Sequence, residues 1–488
     1  MEEWIPPHPR RQPRLSGELT VQGVGLVFAG CVDYQTRLAA VGGDESLMAT
    51  LIFLAGMVKL ERVSDYLLTP LSRNLTLRGL APAQARCRME TGGLTPLSAA
   101  VQTDLDGACA ALIAGSTLLF LPGVPGCLSF DTGTEEKRAI STPENEVSVK
   151  GPGDCFVENL RTNTSLVRRH LRCPELKISE EIVGRQSLTP VDLLWVEGIA
   201  DPELVRRLRD RLGELDMDAL LSPGNIEEYL TRQADTPFPL LLYSERPDRF
   251  CRGLCEGRVG LLAEGLPLGY LAPGVLADFL RAPQDRAQHW LAASVLTALR
   301  WLCLMVTLIL PGGYAAMVSF HHEMLPTRLA LSIMASRQDV PFSALFETLV
   351  LLAAFEVLQE AGLRLPKAVG QTVSILGGLV VGSAAVEAKL ISPAVLVVVA
   401  IAGIAGYTIP SQDLSAALRL WRFVLCILGG TAGLFGISVG IVLLCGHLAG
   451  LDSLGTPYLT WEPPIRRPLP WDLYRPRFLR TGNRRKEG

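Results

Sequence analysis

The sequence predicts an α/β soluble N-terminal region made of two tandem repeats, followed by an α-helical transmembrane domain. The 488 residues carry a net charge of −3, with 48% hydrophobic and 19% charged residues, whereas an average soluble protein is charged at about a quarter of its positions. The charges divide unevenly, since residues 1–288 carry 30 basic and 38 acidic side chains and residues 289–488 carry 16 and 11. The third observation is an internal repeat within residues 1–288, which are called the first section below.

Segments of the first section recur after 142 residues. The segment that begins at Leu51 matches the one that begins at Leu193, and a second pair of segments follows further along each copy. The glycines paired by this shift are Gly56/Gly198, Gly115/Gly257 and Gly123/Gly265. Two separated segments with one spacing predict tandem copies over 15–142 and 143–285.

Both copies carry the same local pattern. An apolar, β-rich run ends at a glycine turn, and a charged amphipathic helix follows, predicted over Pro202–Leu215 in the second copy. The second repeated segment predicts a strand, a turn and another strand. We find no phosphate loop, no dinucleotide fingerprint and no Ser/His/Asp grouping. The sequence therefore predicts a protein that is not an enzyme and has no cofactor.

Metal ions and nucleic acids are not expected ligands. Cys251 and Cys255 lack the second pair of ligands that a structural zinc site needs. The near-neutral charge balance gives no basic surface of the kind that binds nucleic acid. We expect membrane lipid as a partner instead.

The transmembrane domain is predicted over 289–455, because a span needs about 20 apolar residues. Apolar runs of this kind occupy Trp301–Phe320, Leu390–Gln412, Phe423–Gly446, the borderline Ala368–Val386, and Val340–Gln359, which carries two glutamates. We expect four full spans and a possible re-entrant segment. A basic cytoplasmic tail is predicted over 456–488, and the N-terminus has no apolar export signal. Both ends are therefore expected on the cytoplasmic side.

Glu347 and Glu356 are the most informative charges of this domain, because a carboxylate at membrane depth is costly and faces a bundle interior or a wet cavity. They lie nine residues apart and so on opposite faces of one helix. Two interpretations stay open, an ion pathway and ion pairing with other groups. Arg364 is the partner within reach of Glu356 along the sequence.

Glycine and proline mark contacts and bends between the predicted spans. Glycines recur at four-residue spacing, which lets helices approach closely; the pairs are Gly378/Gly382, Gly429/Gly433 and Gly436/Gly440. Pro311, Gly312 and Gly313 interrupt the first apolar run. Because proline removes a helical hydrogen bond, they predict a kink and a candidate hinge.

A polar segment at the start of the second copy contains Arg161, Asn163, Arg168 and Arg169. These side chains suggest an anion site or a subunit contact. The alternative is a solvated helix face whose first turn is capped by Thr162 or Asn163.

Seven segments between about Glu146 and Arg480 carry a family resemblance: Gly151-Pro-Gly-Asp-Cys-Phe-Val-Glu-Asn-Leu-Arg-Thr-Asn-Thr, Ser244-Glu-Arg-Pro-Asp248, Phe320-His-His-Glu-Met-Leu-Pro326, Leu331-Ser-Ile-Met-Ala-Ser-Arg-Gln-Asp-Val-Pro341, Gly362-Leu-Arg-Leu-Pro-Lys-Ala-Val-Gly-Gln371, Thr408-Ile-Pro-Ser411 and Thr456-Pro-Tyr-Leu459. In this order they resemble the A subunits of GerA-type spore germination receptors. In that family, the stretch around His321-His322-Glu323 is a loop after the first span and not a metal site.

The resemblance implies a multi-pass protein of the bacterial endospore inner membrane, with both termini on the core side. It implies a transporter-like B subunit and a C lipoprotein as partners. It also implies a homo-oligomer that converts nutrient sensing into ion release as a ligand-gated channel. A non-conducting scaffold and a secondary transporter are the alternatives. Transporters often contain inverted membrane repeats, and the repeat in this sequence lies in the first section.

Overall fold

The computed structural model describes residues 15, 17–92, 94–133, 146, 152–220, 223–233, 235–364 and 382–460. They belong to two compact units. The first runs to Leu230 and includes Tyr243–Ala272, and the second combines Thr231–Leu242 with the described residues from Pro273 onward. The second unit, which is mainly helical, therefore includes a short segment of the predicted second copy, Thr231–Leu242. The limits 15–142, 143–285, 289–455 and 456–488 stay predictions.

The first unit contains two five-stranded sheets with the same strand order, β1-β2-β4-β5-β3 and β6-β7-β9-β10-β8. The ten strands are β1 Tyr34–Val41, β2 Asp44–Leu54, β3 Ala99–Gln102, β4 Ser116–Phe120, β5 Cys127–Asp131, β6 Leu176–Val183, β7 Thr189–Val196, β8 Leu242–Ser244, β9 Val259–Ala263 and β10 Gly269–Ala272. Neighbours pair antiparallel throughout β1–β5, and so do β6 with β7, β7 with β9, and β9 with β10.

Helices cover these sheets. In chain order they are α1 Val21–Val27, α2 Leu60–Val63, α3 Thr69–Arg73, α4 Pro82–Glu90, α5 Leu105–Ile113, α6 Leu160–His170, α7 Pro202–Gly213, α8 Pro223–Thr231 and α9 Pro247–Cys255, with a π-turn at Ser64–Leu68 and a 3₁₀ turn at Leu75–Leu77. Along β2, Leu51 and Phe53 enter one apolar cluster while Ile52 and Leu54 enter another. Because alternate residues of a strand point to opposite faces, the first sheet is buried on both sides.

The 142-residue shift relates these elements in three dimensions. It carries β1 onto β6 and α5 onto α9 with the same first and last positions. The paired glycines share a left-handed backbone, with φ of 83° and 78° at Gly56 and Gly198 and of 73° and 81° at Gly123 and Gly265. Side chains rarely adopt this conformation, so the turns require glycine in both copies.

The local pattern predicted for the second copy is also present. Strand β7 ends at Val196, and α7 begins at Pro202 after Asp201, whose side chain accepts a hydrogen bond from the Glu203 N–H. Helix α7 ends at Gly213, two residues before the predicted end. Strands β9 and β10 form the predicted hairpin.

The second unit is mainly helical. Its elements are α10 Leu276–Phe279, α11 Trp290–Ser319, α12 Thr327–Arg337, α13 Ala344–Arg364, α14 Gly382–Glu387, α15 Pro393–Tyr407, α16 Gln412–Gly450, the 3₁₀ turns Pro283–Ala287 and His322–Met324, and the strand pair β11 Asp452–Ser453 and β12 Thr456–Pro457. Among the described residues, α11 and α16 are long and apolar enough, by length and composition alone, to cross a membrane, but the 39 residues of α16 do not form one straight helix. The run Leu390–Gln412 is helical along α15, which is shorter than the predicted span, and again at Gln412, where α16 begins.

Helix α16 consists of two antiparallel helices that meet at Gly433, α16a (412–432) and α16b (434–450). Gly433 has φ 67° and ψ −150°, outside the helical region. The rings of Trp421 and His447 lie 6.1 Å apart, whereas 26 residues of straight helix extend about 39 Å. The prediction of one continuous span over Phe423–Gly446 is therefore wrong, because the chain reverses direction at its middle.

Candidate functional site

Helix α6 positions the four polar residues singled out in the second copy. Its N-cap is Asn159, whose side-chain oxygen accepts a hydrogen bond from the Thr162 N–H at 2.9 Å. The predicted caps at Thr162 and Asn163 are therefore wrong by three or four positions. Asn163 is fully buried, where its amide binds both the N–H and the carbonyl of Val157, at 2.8 and 2.6 Å.

Arg168 joins the two repeat copies. Its Nε and Nη2 donate to the two carboxylate oxygens of Asp33, at 2.7 and 2.9 Å, and its Nη1 donates to the Leu176 carbonyl. Both side chains are almost completely buried. A bidentate pair of this kind is rigid and specific. Arg168 and Asn163 are buried and hydrogen-bonded, so neither offers an exposed surface for an anion or another subunit.

Arg161 belongs to a second charged group on the same helix. It donates to Asp192 at 3.2 Å and to Glu180. Asp192 is fully buried, and its Oδ1 has no hydrogen-bond partner. Burial raises the pKa of Asp192 to about 7, although Arg161 acts in the opposite direction. The hypothesis of an anion site or a subunit contact stays a prediction for Arg161 and Arg169 only. Arg169, like Arg161, already has an interaction partner within the chain.

Glu347 lies at the start of α13 and is 1% exposed. One of its oxygens accepts a hydrogen bond from Arg337 of α12 at 3.0 Å, and the other accepts from the Ser392 N–H at 2.9 Å. A buried carboxylate is tolerated when it is paired and hydrogen-bonded in this way. The ion-pair interpretation thus describes the geometry of Glu347, and the ion pathway stays a prediction.

Glu356 lies further along the same helix and binds two arginines of α16a. Arg419 donates to it at 3.1 Å, and Arg422 donates to its other oxygen. Arg419 also donates to Gln359 at 3.0 Å. The sequence suggested Arg364, whose side chain lies outside the described residues. The two glutamates have separate partners, in agreement with their expected positions on opposite faces.

The glycines of the apolar helices lie at contacts. Helix α11 continues through Pro311, and a Cβ at Gly312 would lie 2.6 Å from the Leu425 carbonyl oxygen of α16a. A Cβ at Gly429 would lie 2.6 Å from the Gly312 carbonyl oxygen. Gly313 lacks such a close neighbour. The packing role expected from glycine spacing is thus visible at Gly429, and its neighbour Gly312, which the sequence suggested as part of a hinge, makes a close contact as well. The hinge hypothesis stays a prediction.

Six charged partners of these side chains were not identified from the sequence: Asp33, Glu180, Asp192, Arg337, Arg419 and Arg422. Arg337 lies ten residues from Glu347, and the others lie 19 or more residues from the group that they bind. Arg419 and Arg422, which lie between the apolar runs Leu390–Gln412 and Phe423–Gly446, were the one available signal, because a charge next to a predicted span requires a partner.

Several predictions lie outside the described residues. They are most of the basic tail, the run Ala368–Val386 up to residue 381, and Gly378. In the part of the chain that the structure describes, no three His, Cys, Asp or Glu side chains form a group that could hold a metal ion.

Comparisons with known proteins assign the chain to a family. Residues 25–482 match the model of the Bacillus/Clostridium GerA spore germination protein family. The chain is 34% identical to the uncharacterized membrane protein YfkQ of Bacillus subtilis, over 93% of this chain and 87% of the relative. It is 32% identical to spore germination protein KA of Bacillus subtilis, over 89% and 79%, and 31% identical to spore germination protein GerLA of Bacillus cereus, over 92% and 92%.

A solved structure is also similar. It is the crystal structure of the N-terminal domain of the A subunit of the Bacillus megaterium spore germinant receptor GerK3, with 25% sequence identity and a TM-score of 0.42, covering 54% of this chain and 99% of that chain. The family match extends over both units described above. This chain belongs to the GerA spore germination protein family.

Proposed function

We propose that this chain is the A subunit of a nutrient germinant receptor in the inner membrane of bacterial endospores. In this proposal the helical unit lies in the membrane as a multi-pass domain, with both termini on the core side. The chain works with a transporter-like B subunit and a C lipoprotein, and copies of it assemble into a ligand-gated ion channel. The family membership and the apolar helices α11 and α16 support the proposal.

The observation that carries the channel proposal is the pair of carboxylates on α13. Glu347 is held by Arg337 of α12, and Glu356 is held by Arg419 and Arg422 of α16a. The arginines lie on α12 and α16a, whereas both glutamates lie on α13. A shift of α13 relative to either of the other helices therefore separates an ion pair and exposes a carboxylate. Exposed carboxylates attract cations and are typical of cation pathways.

Flux measurements test this proposal. The full-length protein is reconstituted in liposomes, alone and with its B and C partners, and K⁺ and Na⁺ release is recorded with and without a nutrient mixture. We expect release that depends on the protein and decreases at least about tenfold in Glu347→Gln, the order of effect of losing a charged hydrogen bond. Glu360→Gln, which alters an exposed carboxylate on the same helix, is the control and should leave the flux unchanged.

Other results identify the alternatives. Unchanged conductance in Glu347→Gln would remove that residue from the pathway. No flux in any combination of subunits would favour a non-conducting scaffold. Uptake of a nutrient coupled to an ion gradient would instead indicate a secondary transporter.

A further inference from the structure

A charged cluster lies between helix α6 and the second sheet. It consists of Arg161 on α6, Glu180 on β6, Asp192 on β7 and Glu264 after β9, and it is called the Asp192 cluster below. Glu180 and Asp192 lie directly opposite each other in the antiparallel pair of β6 and β7, where two like charges destabilise a sheet. Arg161 donates to both carboxylates. One guanidinium thus serves two carboxylates.

The other carboxylates near Asp192 have their own means of staying ionised. Asp33 accepts two N–H groups of Arg168. Glu264 accepts the Leu160 N–H at 2.7 Å in the first turn of α6, where a helix favours a negative charge. The side chain of Glu180 is 24% exposed and therefore partly hydrated.

Asp192 has none of these advantages. It is fully buried, its Oδ2 accepts from Arg161 at 3.2 Å, and its Oδ1 has no hydrogen-bond partner among the described residues. An ionised carboxylate costs far more to bury than a neutral one. Burial raises the pKa of Asp192 to about 7; Arg161 on α6 opposes this, and Glu180 on β6, Asp33 before β1 and Glu264 after β9 add to it. The cluster therefore holds its proton on Asp192.

The first copy has uncharged residues at the same positions. They are Leu19, Leu38, Thr50 and Pro122, which the 142-residue shift places at Arg161, Glu180, Asp192 and Glu264. Leu38 and Thr50 are also directly opposite each other in their sheet. The repeated fold thus forms without charges at this place, so the fold by itself does not explain why the second copy carries them.

Helix α6 also makes contacts with the first copy. Its Arg168 pairs with Asp33, and a Cβ at Gly56 would lie 3.0 Å from the Arg161 carbonyl oxygen. The first turn of α6 therefore carries both the guanidinium of the Asp192 cluster and a close backbone contact with the turn at Gly56. A change in the charge of the cluster acts directly on the place where the two copies meet.

We propose that the Asp192 cluster is a proton-operated switch of the contact between the two copies. With Asp192 neutral, Arg161 balances the single charge of Glu180. When the proton leaves to solvent along the side chain of Arg161, which is 37% exposed, two opposed carboxylates share one guanidinium. The excess buried charge then weakens the packing of α6 on its sheet and on the turn at Gly56.

Hydrogen exchange measured by mass spectrometry tests this switch in the full-length protein in detergent. Exchange is recorded from about pH 5 to about pH 8, on either side of the titration, and each rate is divided by the intrinsic rate at that pH to give a protection factor. We expect the protection of α6 and of residues 55–57 to fall at least about tenfold as the pH rises, which corresponds to one pKa unit.

Three variants identify the titrating group. Asp192→Asn keeps the side chain neutral, so protection should stay high at every pH. Glu180→Gln removes the opposed charge, so the fall should move to a lower pH. The control Asp210→Asn alters an exposed carboxylate of α7 and should leave the profile unchanged.

A further variant covers the case in which Asp192→Asn fails to fold. Arg161→Leu, Glu180→Leu and Asp192→Thr together reproduce the residues of the first copy, and this protein should show no fall. Protection that is independent of pH in the original protein overturns the proposal. The same fall in Asp192→Asn or in the triple variant, or an unshifted fall in Glu180→Gln, overturns it as well. None of these results depends on ion flux, so the switch and the proposed channel are tested separately.

Discussion

The reversal of α16 at Gly433 gives the sharpest test of the helical unit. Trp421 and His447 are replaced by cysteine in one variant of the full-length protein. Their rings lie 6.1 Å apart in the structure, and a straight helix would separate the same positions by about 39 Å. A short bismaleimide crosslinker can join the two cysteines only if the chain folds back between them.

The assay identifies the crosslinked peptides by mass spectrometry, so the eleven native cysteines do not obscure the result. A matched control places cysteines at Leu291 and Met317, which have the same spacing of 26 residues on the continuous helix α11. We expect a link between positions 421 and 447 and none between positions 291 and 317.

Failure to link positions 421 and 447 in folded protein would refute the reversal. In that case α16 would be one long helix, and the original expectation of a span over Phe423–Gly446 would stand. A link in the control pair would show that the reagent joins different molecules and would remove the value of the first result.

Three further predictions concern stability and are measured by thermal or denaturant unfolding of the full-length protein. Gly433→Ala should lower the free energy of unfolding by about 1–3 kcal/mol because of backbone strain. The loss should be larger if the His321 ring, 2.6 Å from the new Cβ, cannot move. The control Gly446→Ala, in open space on α16b, should leave the free energy of unfolding unchanged or raise it by up to about 1 kcal/mol. Equal effects of the two would contradict the role of Gly433. Arg168→Met should cost about 3–5 kcal/mol, because it leaves the buried Asp33 carboxylate unpaired, and a loss below about 1 kcal/mol would show that the pair is exposed in solution. The pKa of Asp192 in the folded state is about 7, above its ordinary value of 3.8. The folded state therefore binds an extra proton, and the free energy of unfolding should fall as the pH rises from about 4 to about 7. Asp192→Asn should reduce this dependence of stability on pH, and an unchanged dependence would assign it to other groups.

Sequence reasoning was most successful where a feature is local or repeated. The glycine pairs identified the duplication because each turn needs a left-handed backbone, which a sequence displays directly as glycine. It was least successful in identifying the ion-pair partners of buried charged side chains. Arg168 was visible in the sequence, but its partner Asp33 is 135 residues away, and no local pattern connects them.

The apolar helices show the same limit. Hydrophobic length predicted a span over Phe423–Gly446, since apolar composition is the same in a straight helix and in a hairpin. The glycine at position 433 was noted for packing, and only the structure shows its left-handed backbone, with the His321 ring beside the place where a side chain would lie.

The sequence by itself determined the division of the chain, the duplicated first section, the apolar second section and the family resemblance. These properties follow from composition, periodicity and repeated turn residues, which depend on neighbours along the chain. Only the tertiary structure decided which arginine holds Glu347 and which hold Glu356, that Arg168 joins the two copies, and that α16 reverses direction. Those outcomes depend on which distant groups are brought into contact, because a buried charge is stable only beside the partner that the fold provides.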